Sequence, residues 1–328
     1  MSQNEVFDQL DVGGIVDLTG EDTARIHIAA LRAAGEPGKN AAYQAERAAG
    51  LVTAFPPSLV RALHRYGNHG SVHNTLLVRG LLPDVAGLPP SPGTTTPAPL
   101  GPDVDAAALI LLAVASQMGE PFTFASLYEG RLVQHVTPVP GQEDAQTSEG
   151  SDTVLAWHVE DAFTEARCDF FGLLCLRGEP AAQTLVAPAR ALALPAEVER
   201  VLREPRFVVE PDIAHGADPT PDLPVAAVLS GPPGDPEICF DAVYQRPADP
   251  ADADAATALK ALADAVDAAA VAHVLEPGEL LIADNRRIVH GRTVFRPRYD
   301  GTDRWLLRTM VCASKREHRR RGASRALP

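Results

Sequence analysis

From Arg131 onward the chain is a series of short apolar runs separated by turn residues, and this pattern constrains the fold more than any other feature. The runs have the length of strands and lack the regularly alternating helices of a parallel α/β sheet. Many short strands at this spacing favour a β-sandwich or barrel. The expected strands are Leu132–Val136, Val154–His158, Phe170–Leu176, Val225–Leu229, Ile238–Val243, Leu280–Ala283, Arg287–His290 and Trp305–Cys312.

The first third of the chain is expected to be helical instead. Thr19 is predicted to cap a helix whose first turn carries acidic residues, which suit the helix dipole. The Pro-, Gly- and Thr-rich stretch at 82–102 is typical of a surface connection. The sequence therefore predicts a mainly β fold with flanking helices. Further helices are expected over Ala41–Ala49, Pro57–Tyr66, Asp103–Met118 and Asp252–Ala269.

Charge and composition narrow the possible partners. With 29 basic and 43 acidic residues among 328, the net charge of −14 argues against nucleic acid and anionic membranes as partners. The one basic run, at 315–321, is expected to be a frayed, solvated tail. Four cysteines without CxxC spacing, no signal-peptide pattern in MSQNEVFDQLDVGG and no apolar stretch of spanning length predict a cytoplasmic protein.

The sharpest local motif is WHVEDAF at 157–163. Alternate side chains of a strand share a face, so His158 and Glu160 can point toward one spot inside a barrel. An imidazole and a carboxylate placed in this way supply two of the three ligands in a facial triad for non-haem Fe(II). Taken alone, the pair also fits a surface strand with polar residues, which is the simpler interpretation.

The last expected strand carries two arginines. Arg304 and Arg308 are separated by an even number of positions, so in a strand their side chains share one face, with Leu306 between them. Arginine on a buried strand face is costly unless it meets an anion, and its planar fork fits a carboxylate. The alternative is a structural ion pair with Asp300 or Asp303.

A further candidate is His290, which ends an expected strand and precedes a glycine, where the backbone can approach a site closely. A single histidine at such a place is more often structural. The order of the motifs is more specific: an HxE, a long insertion, His290, and then Arg304 at a spacing of 304 − 290 = 14 positions.

On these motifs the sequence resembles the Fe(II)- and 2-oxoglutarate-dependent oxygenases. More narrowly, it resembles the clavaminate synthase-like group, which is related to taurine dioxygenase and includes asparagine and arginine β-hydroxylases. The resemblance spans roughly the C-terminal two thirds of the chain. It rests on WHVEDAF at 157–163, GLLCLRG at 172–178 and DNRRIVHGRTVFRPRYDGTDRWLLR at 284–308, and it also fits GEPFTFA at 119–125.

The resemblance implies a double-stranded β-helix, or jelly-roll, core. The whole chain, 1–328, is accordingly expected to be a single oxygenase domain. Its expected parts are a helical region to about residue 118, the jelly-roll core over about 119–314 and the basic tail at 315–328.

The resemblance also implies residues for the metal and the cosubstrate. His158, Glu160 and His290 are expected to bind Fe(II). Arg304 is expected to pair with the distal carboxylate of 2-oxoglutarate, and Thr184 to contribute a hydroxyl to the same cosubstrate.

Substrate contacts follow from the same resemblance. Arg308 matches an arginine that holds the α-carboxylate of an amino-acid substrate, and Glu160 is expected to help hold its amine. Ser148 and Asp241 are carried over as further substrate contacts. Basic-side-chain hydroxylases of the group can carry a pair of acids where this chain has Asp241 and then Val243, which weakens a guanidinium-binding interpretation.

The implied activity is hydroxylation of a free L-amino acid, or a close derivative, at an unactivated Cβ or Cγ. The reaction would use Fe(II), 2-oxoglutarate and O₂ and release succinate and CO₂. Because Glu160 is present where halogenases of the family have a small residue, halogenation is not expected. The alternatives are a desaturase or cyclase on an amino-acid-derived substrate, a non-redox cupin-type metal enzyme and a catalytically silent binding protein. The sequence does not fix the substrate side chain or the oligomeric state.

Overall fold

The computed structural model describes residues 8–9, 14–34, 41–83, 85–211, 215, 223–322 and 325–327. The α-helices are α1 (Gly20–Ala34), α2 (Ala41–Leu51), α3 (Pro57–His69), α4 (Pro102–Ala115), α5 (Ala196–Leu202), α6 (Ala253–Ala269) and α7 (Lys315–Arg320). The strands are β1 (Asp8–Gln9), β2 (Ile15–Asp17), β3 (Thr75–Arg79), β4 (Glu120–Phe124), β5 (Gln134–Val136), β6 (Leu155–His158), β7 (Phe170–Arg177), β8 (Thr184–Pro188), β9 (Phe207–Val209), β10 (Leu229–Ser230), β11 (Glu237–Ile238), β12 (Gln245–Pro247), β13 (Val271–His273), β14 (Leu280–Asp284), β15 (Ile288–Arg292), β16 (Trp305–Cys312) and β17 (Ala326–Leu327).

Two sheets form the jelly-roll core. The major sheet has the strand order β17-β4-β16-β7-β14-β3-β2, with β5 also paired to β16. The minor sheet has the order β1-β13-β8-β15-β6. An apolar cluster contains side chains of both sheets, including Phe171 and Leu306 of the major sheet and Val186 and Ile288 of the minor sheet. The expectation of a mainly β fold with flanking helices and a jelly-roll core is confirmed.

Strand β16 shows how side chains alternate between the two faces of the major sheet. Trp305 and Leu307 belong to the apolar cluster that the sheet shares with α1 to α4. Leu306 belongs to the cluster between the sheets. Because the side-chain period of a strand is two, Arg304 and Arg308 fall on the same inner face as Leu306. The fold therefore carries both arginines toward the inside of the jelly roll.

Helices cover the outer face of each sheet. Helix α4 packs against the major sheet and against α1 and α2, and apolar side chains occupy most of its circumference. Gly172 of β7 permits this close approach, since a Cβ there would lie 3.1 Å from Cδ1 of Leu111. On the minor sheet, Ala187 and Val289 share an apolar cluster with side chains of α5 and α6.

Most of the predicted helices and long strands are present. The Thr19 hydroxyl accepts a hydrogen bond from the Asp22 amide at 3.2 Å, as expected of a residue that caps α1. Strand β16 has the predicted bounds. Several strands were not predicted, among them β3, β4 and β8. The expectation of strands throughout Val225–Leu229 and Ile238–Val243 was wrong, because the regular pairing there is limited to β10 and β11.

The prediction of a frayed C-terminal tail was wrong for the described residues of that segment. Ser314 caps α7 by accepting a hydrogen bond from the Glu317 amide at 3.1 Å. Strand β17 then pairs in parallel with β4. Arg325 secures this pairing through the Pro121 carbonyl at 2.9 Å and the Glu120 carboxylate at 3.0 Å. The basic residues are thus partly structural.

Two further expectations concern the location of the protein. Among the described helices, none is long and apolar enough to cross a membrane. Residues 1–7 and 10–13, where no signal peptide is expected, lie outside the described residues. All four cysteines are free thiols.

Candidate metal centre

Two neighbouring strands of the minor sheet bring a His-Glu-His cluster together. His158 ends β6 and is the register partner of His290 in β15, and the two rings lie 4.2 Å apart between centroids. Glu160 follows two residues after His158, on the same side of the chain. One potential ligand atom from each residue lies within 4.8 Å of those of the other two. The structure therefore brings together the three residues predicted to bind iron.

The protonation states of the cluster suit a divalent metal. Burial and the neighbouring His158 lower the pKa of His290 to about 4, so the His290 ring is neutral at pH 7. Burial acts to raise the pKa of the Glu160 carboxyl, but Arg308 and the two histidines outweigh it and hold that pKa well below its usual range. His290 thus offers a neutral imidazole and Glu160 a carboxylate, two of the donor types of a non-haem Fe(II) site.

Hydrogen bonds orient the two histidines differently. Nδ1 of His158 donates to the Ala156 carbonyl at 2.8 Å, which leaves Nε2 free as a ligand atom. Nε2 of His290 lies 3.3 Å from Oε1 of Glu160. Within the described residues Nδ1 of His290 has no hydrogen-bond partner, and the ring packs against Phe171 at 4.5 Å between centroids.

Glu160 is held at both its backbone and its side chain. Asn285, directly after β14, accepts a hydrogen bond from the Glu160 amide at 2.8 Å and donates to the carbonyls of Glu160 and Cys168 at 3.1 Å. Nη1 of Arg308 lies 2.9 Å from both carboxylate oxygens of Glu160. Nε of Arg308 donates to the Gln134 side chain at 2.8 Å. Arg308, predicted to hold a substrate carboxylate, is here the ion-pair partner of a predicted iron ligand.

A second group of polar residues borders the same cavity without an anionic partner. Arg304 is 6% exposed, and the described residues provide no hydrogen bond or ion pair to it. Burial lowers its pKa to about 10, so it still carries a positive charge at pH 7. The Thr184 hydroxyl is also buried and lacks a hydrogen-bond partner among the described residues. A cation and a hydroxyl left in this state fit a bound carboxylate, the group expected at both positions.

The remaining predicted contacts, Ser148 and Asp241, also line the cavity. The Ser148 hydroxyl lies 2.8 Å from the hydroxyl of Tyr128. Asp241 forms an isolated bridge with His158, and its Oδ1 accepts hydrogen bonds from the amides of Val243 and Tyr244 at 2.8 and 2.7 Å. The cavity thus brings every predicted site residue to one region.

Sequence reasoning gave no role to several residues that organise this region. Asn285 fixes the backbone of Glu160, and Arg292 lines the cavity beside the predicted cosubstrate contacts. Asp161, in a left-handed conformation (φ 56°), pairs with His215 at 2.9 Å across the cavity. Asn285 and Arg292 fall inside the quoted 284–308 motif, but Asn285 binds Glu160 and Arg292 binds Gly150, each more than a hundred residues away, and spacing does not reveal these contacts.

Comparisons with known proteins agree with this geometry. The family described as "Taurine catabolism dioxygenase TauD, TfdA family" matches residues 101–310. The chain is 39% identical over 294 residues to an L-asparagine oxygenase of Streptomyces coelicolor, covering 88% of this chain and 86% of that protein.

Two solved structures are similar throughout. One is asparagine oxygenase in complex with Fe(II), 2S,3S-3-hydroxyasparagine and succinate (TM-score 0.85, 36% identity, 94% of this chain and 96% of that one). The other is the non-heme iron oxygenase OrfP in complex with Fe and alpha-ketoglutaric acid (TM-score 0.85, 31% identity, 96% of this chain and 100% of that one).

Proposed function

The chain belongs to the taurine catabolism dioxygenase TauD, TfdA family, and from that premise we propose that its substrate is a free L-amino acid with a short, neutral, polar side chain, L-asparagine first among them. The general activity follows from the family and from the similar proteins. The protein is an Fe(II)- and 2-oxoglutarate-dependent dioxygenase that hydroxylates an amino acid. When bound, Fe(II) and 2-oxoglutarate supply the oxidising power of the reaction from O₂, and succinate and CO₂ are released.

In our proposal the cluster of half-buried His158 and buried Glu160 and His290 holds the iron. The close spacing of one carboxylate and two imidazoles supports this assignment. Arg304 and Thr184 hold the distal carboxylate of 2-oxoglutarate. Their support is physical: a buried guanidinium without an anion is costly, and a carboxylate relieves that cost.

The backbone end of the amino acid lies near Arg308 and Glu160 in this proposal. Arg308 uses Nε and Nη1 on Gln134 and Glu160, and the described residues make no hydrogen bond to its Nη2. The Nη2 donors are available to an α-carboxylate, and Glu160 is available to the amine. Such contacts fix the substrate so that one C–H faces the metal, which is the positioning that selective hydroxylation needs.

One observation carries the choice of a short, neutral side chain. The wall that contains Asp241 has the apolar Val243 at the position where binding of a cationic side chain would need a second acid. Two backbone amides orient the Asp241 carboxylate, which can accept a hydrogen bond from an amide group. Val243 lines the same wall and is 49% exposed. Among the other acids of the lining, Glu210 pairs with Arg246 at 3.0 Å and Asp161 with His215 at 2.9 Å. A guanidinium or ammonium group would therefore meet one partly occupied carboxylate.

The test is succinate formation by the Fe(II)-loaded protein with 2-oxoglutarate and separate L-amino acids, with mass spectrometry of each product. We expect L-asparagine to stimulate succinate release and to gain one oxygen atom, and L-arginine, L-lysine and L-ornithine to do so weakly. Loss of two hydrogen atoms would instead indicate desaturation. Stimulation by the cationic amino acids alone would contradict the proposed side-chain class.

A single variant tests the role of the Val243 position. Val243→Asp adds the second acid at an exposed site, so we expect it to raise turnover of L-arginine relative to L-asparagine. An unchanged ratio in a folded variant would mean that this wall does not select the side chain. Val72→Asp, at another exposed valine away from the cavity lining, is the matched control.

A further inference from the structure

Arg292 is a buried arginine whose charge meets no carboxylate among the described residues. It is 3% exposed and ends β15, two residues after His290. Its guanidinium donates to the carbonyls of Gly150 at 2.6 Å, Thr153 at 3.1 Å and Thr293 at 3.1 Å. The ring of Phe295 covers it at 4.9 Å from the ring centroid. Neutral carbonyls and an aromatic face hold the group in place without neutralising it.

Two of these carbonyls belong to the segment 139–153, which forms the substrate-side wall of the cavity. This segment supplies Gln146, Thr147 and Ser148 to the cavity lining. Phe295 binds the segment a second time, because its amide donates to the Ser151 carbonyl at 3.0 Å. Arg292 and Phe295 therefore tie the wall to the end of β15.

The same guanidinium borders the cosubstrate end of the cavity. Arg292 is the register partner of Thr184 in the pairing of β15 with β8. Arg292 and Arg304 both line the cavity and are both buried, so two cations repel each other in a region with low exposure. A dicarboxylate that pairs with Arg304 removes much of this repulsion.

We propose that Arg292 is a positioning residue that couples binding of 2-oxoglutarate to the ordering of segment 139–153, and through it to binding of the amino acid. The inference rests on the proposed assignment of Arg304 to the cosubstrate carboxylate. With the anion present, Arg292 binds the Gly150 and Thr153 carbonyls more firmly, and the substrate-side wall becomes more ordered. Coupling of this kind is reciprocal, so the amino acid also strengthens binding of the cosubstrate.

The test measures amide hydrogen exchange of the anaerobic Fe(II)-loaded protein with and without 2-oxoglutarate, so no turnover and no amino acid are required. The amides of Ser151 and Asp152 report directly, since both donate to the Glu143 carbonyl within the segment. In the wild type we expect 2-oxoglutarate to slow their exchange about 5-fold or more, the lower end of ordinary coupling between sites. In Arg292→Gln we expect a ratio near 1 although 2-oxoglutarate still binds.

Arg177→Gln is the matched control. Arg177 also holds a loop carbonyl, that of Leu88 at 3.1 Å, and lies 5.6 Å from the Trp305 ring centroid, but it is outside the cavity lining. Its loss should leave the exchange ratio of the wild type unchanged. If Arg292→Gln does not fold, Phe295→Leu removes the aromatic cover alone and should reduce the ratio in the same direction.

The outcomes separate this inference from the proposed function. Equal slowing of exchange in the wild type and in the Arg292 or Phe295 variant would overturn the coupling role. So would a wild type that binds 2-oxoglutarate in calorimetry without any change in exchange. If the wild type does not bind 2-oxoglutarate at all, the proposed cosubstrate site fails first and the inference fails with it.

Discussion

The two ends of the active-site cavity use similar residues but balance their charges differently. At the metal end, the Glu160 carboxylate lies 2.9 Å from the Arg308 guanidinium, so a buried anion and a buried cation satisfy each other. At the end where we propose that 2-oxoglutarate binds, Arg304 and Arg292 are buried and meet no carboxylate among the described residues. The difference shows at which end the buried charges are paired within the protein and at which end an anion from outside is needed to pair them.

The largest effect is expected from removing the anion of the metal end, the Glu160 carboxylate. Glu160→Ala removes a proposed iron ligand and leaves Arg308 buried without its partner. Loss of an outer-shell partner in a metal site already costs about 10–100-fold, so we expect a larger fall in iron affinity and succinate formation. We also expect the free energy of unfolding to fall by about 3–5 kcal/mol, as measured by urea titration. Glu197→Ala, at an exposed position of α5, should change neither quantity.

The comparison becomes sharper when Arg304, directly before β16, and Arg308, within β16, are replaced in the same way. In the metal-free protein, Arg308→Met strands the Glu160 carboxylate and should lower the free energy of unfolding by about 3–5 kcal/mol. Arg304→Met removes an unpaired buried cation, so the free energy of unfolding should stay the same or rise. Equal destabilisation by both substitutions in urea titrations would show that the ends do not differ as described.

A smaller effect is expected from the residue that fixes the backbone at the metal end. Asn285→Ala leaves the Glu160 amide and two carbonyls without a buried partner. Each unsatisfied buried group costs about 1–3 kcal/mol, and we expect a total loss of stability in that range after relaxation. Thermal unfolding and iron binding should both weaken. A variant with wild-type iron affinity would show that Asn285 supports the fold alone.

The smallest effect concerns Glu279, a carboxylate away from the cavity that pairs with Arg79 and His273. Burial acts to raise the pKa of Glu279, but bonds from His273, the Glu276 amide and Arg79 outweigh it and lower that pKa below the usual 4.5. Its stabilising contribution is therefore complete above about pH 4.5 and is lost as the pH falls through the lowered value. Glu279→Gln should flatten the fall of the melting temperature below pH 4.5. The same acid slope in both proteins would contradict this.

The sequence predicted the parts of the structure that depend on local pattern. Strand β16 has a period of two and strong apolar residues, so its bounds and the face shared by Arg308 and the preceding Arg304 were predictable. Strand β3 was missed because TLLVR is buried on both faces and has no alternation. The C-terminal tail was judged by its charge alone, although Arg325 has partners about two hundred residues away.

In the candidate site, too, some features were predictable from sequence spacing and others were not. The spacing of His158, Glu160, His290 and Arg304 carried the resemblance, and the structure places these residues around one cavity. The use of Arg308 on Glu160, the support from Asn285 and the carbonyl contacts of Arg292 depend on contacts 125 to 148 residues apart. No local pattern encodes such contacts, so they required the folded structure.

The most direct test of the account is a calorimetric titration of 2-oxoglutarate into the anaerobic Fe(II)-loaded protein and its Arg304→Met variant. The account predicts saturable one-site binding to the wild type. It predicts binding to the variant weaker by roughly 30-fold or more, because loss of a buried charge pair costs at least about 2 kcal/mol. Equal affinity in both proteins would contradict the claim that this end of the cavity is completed by the cosubstrate carboxylate.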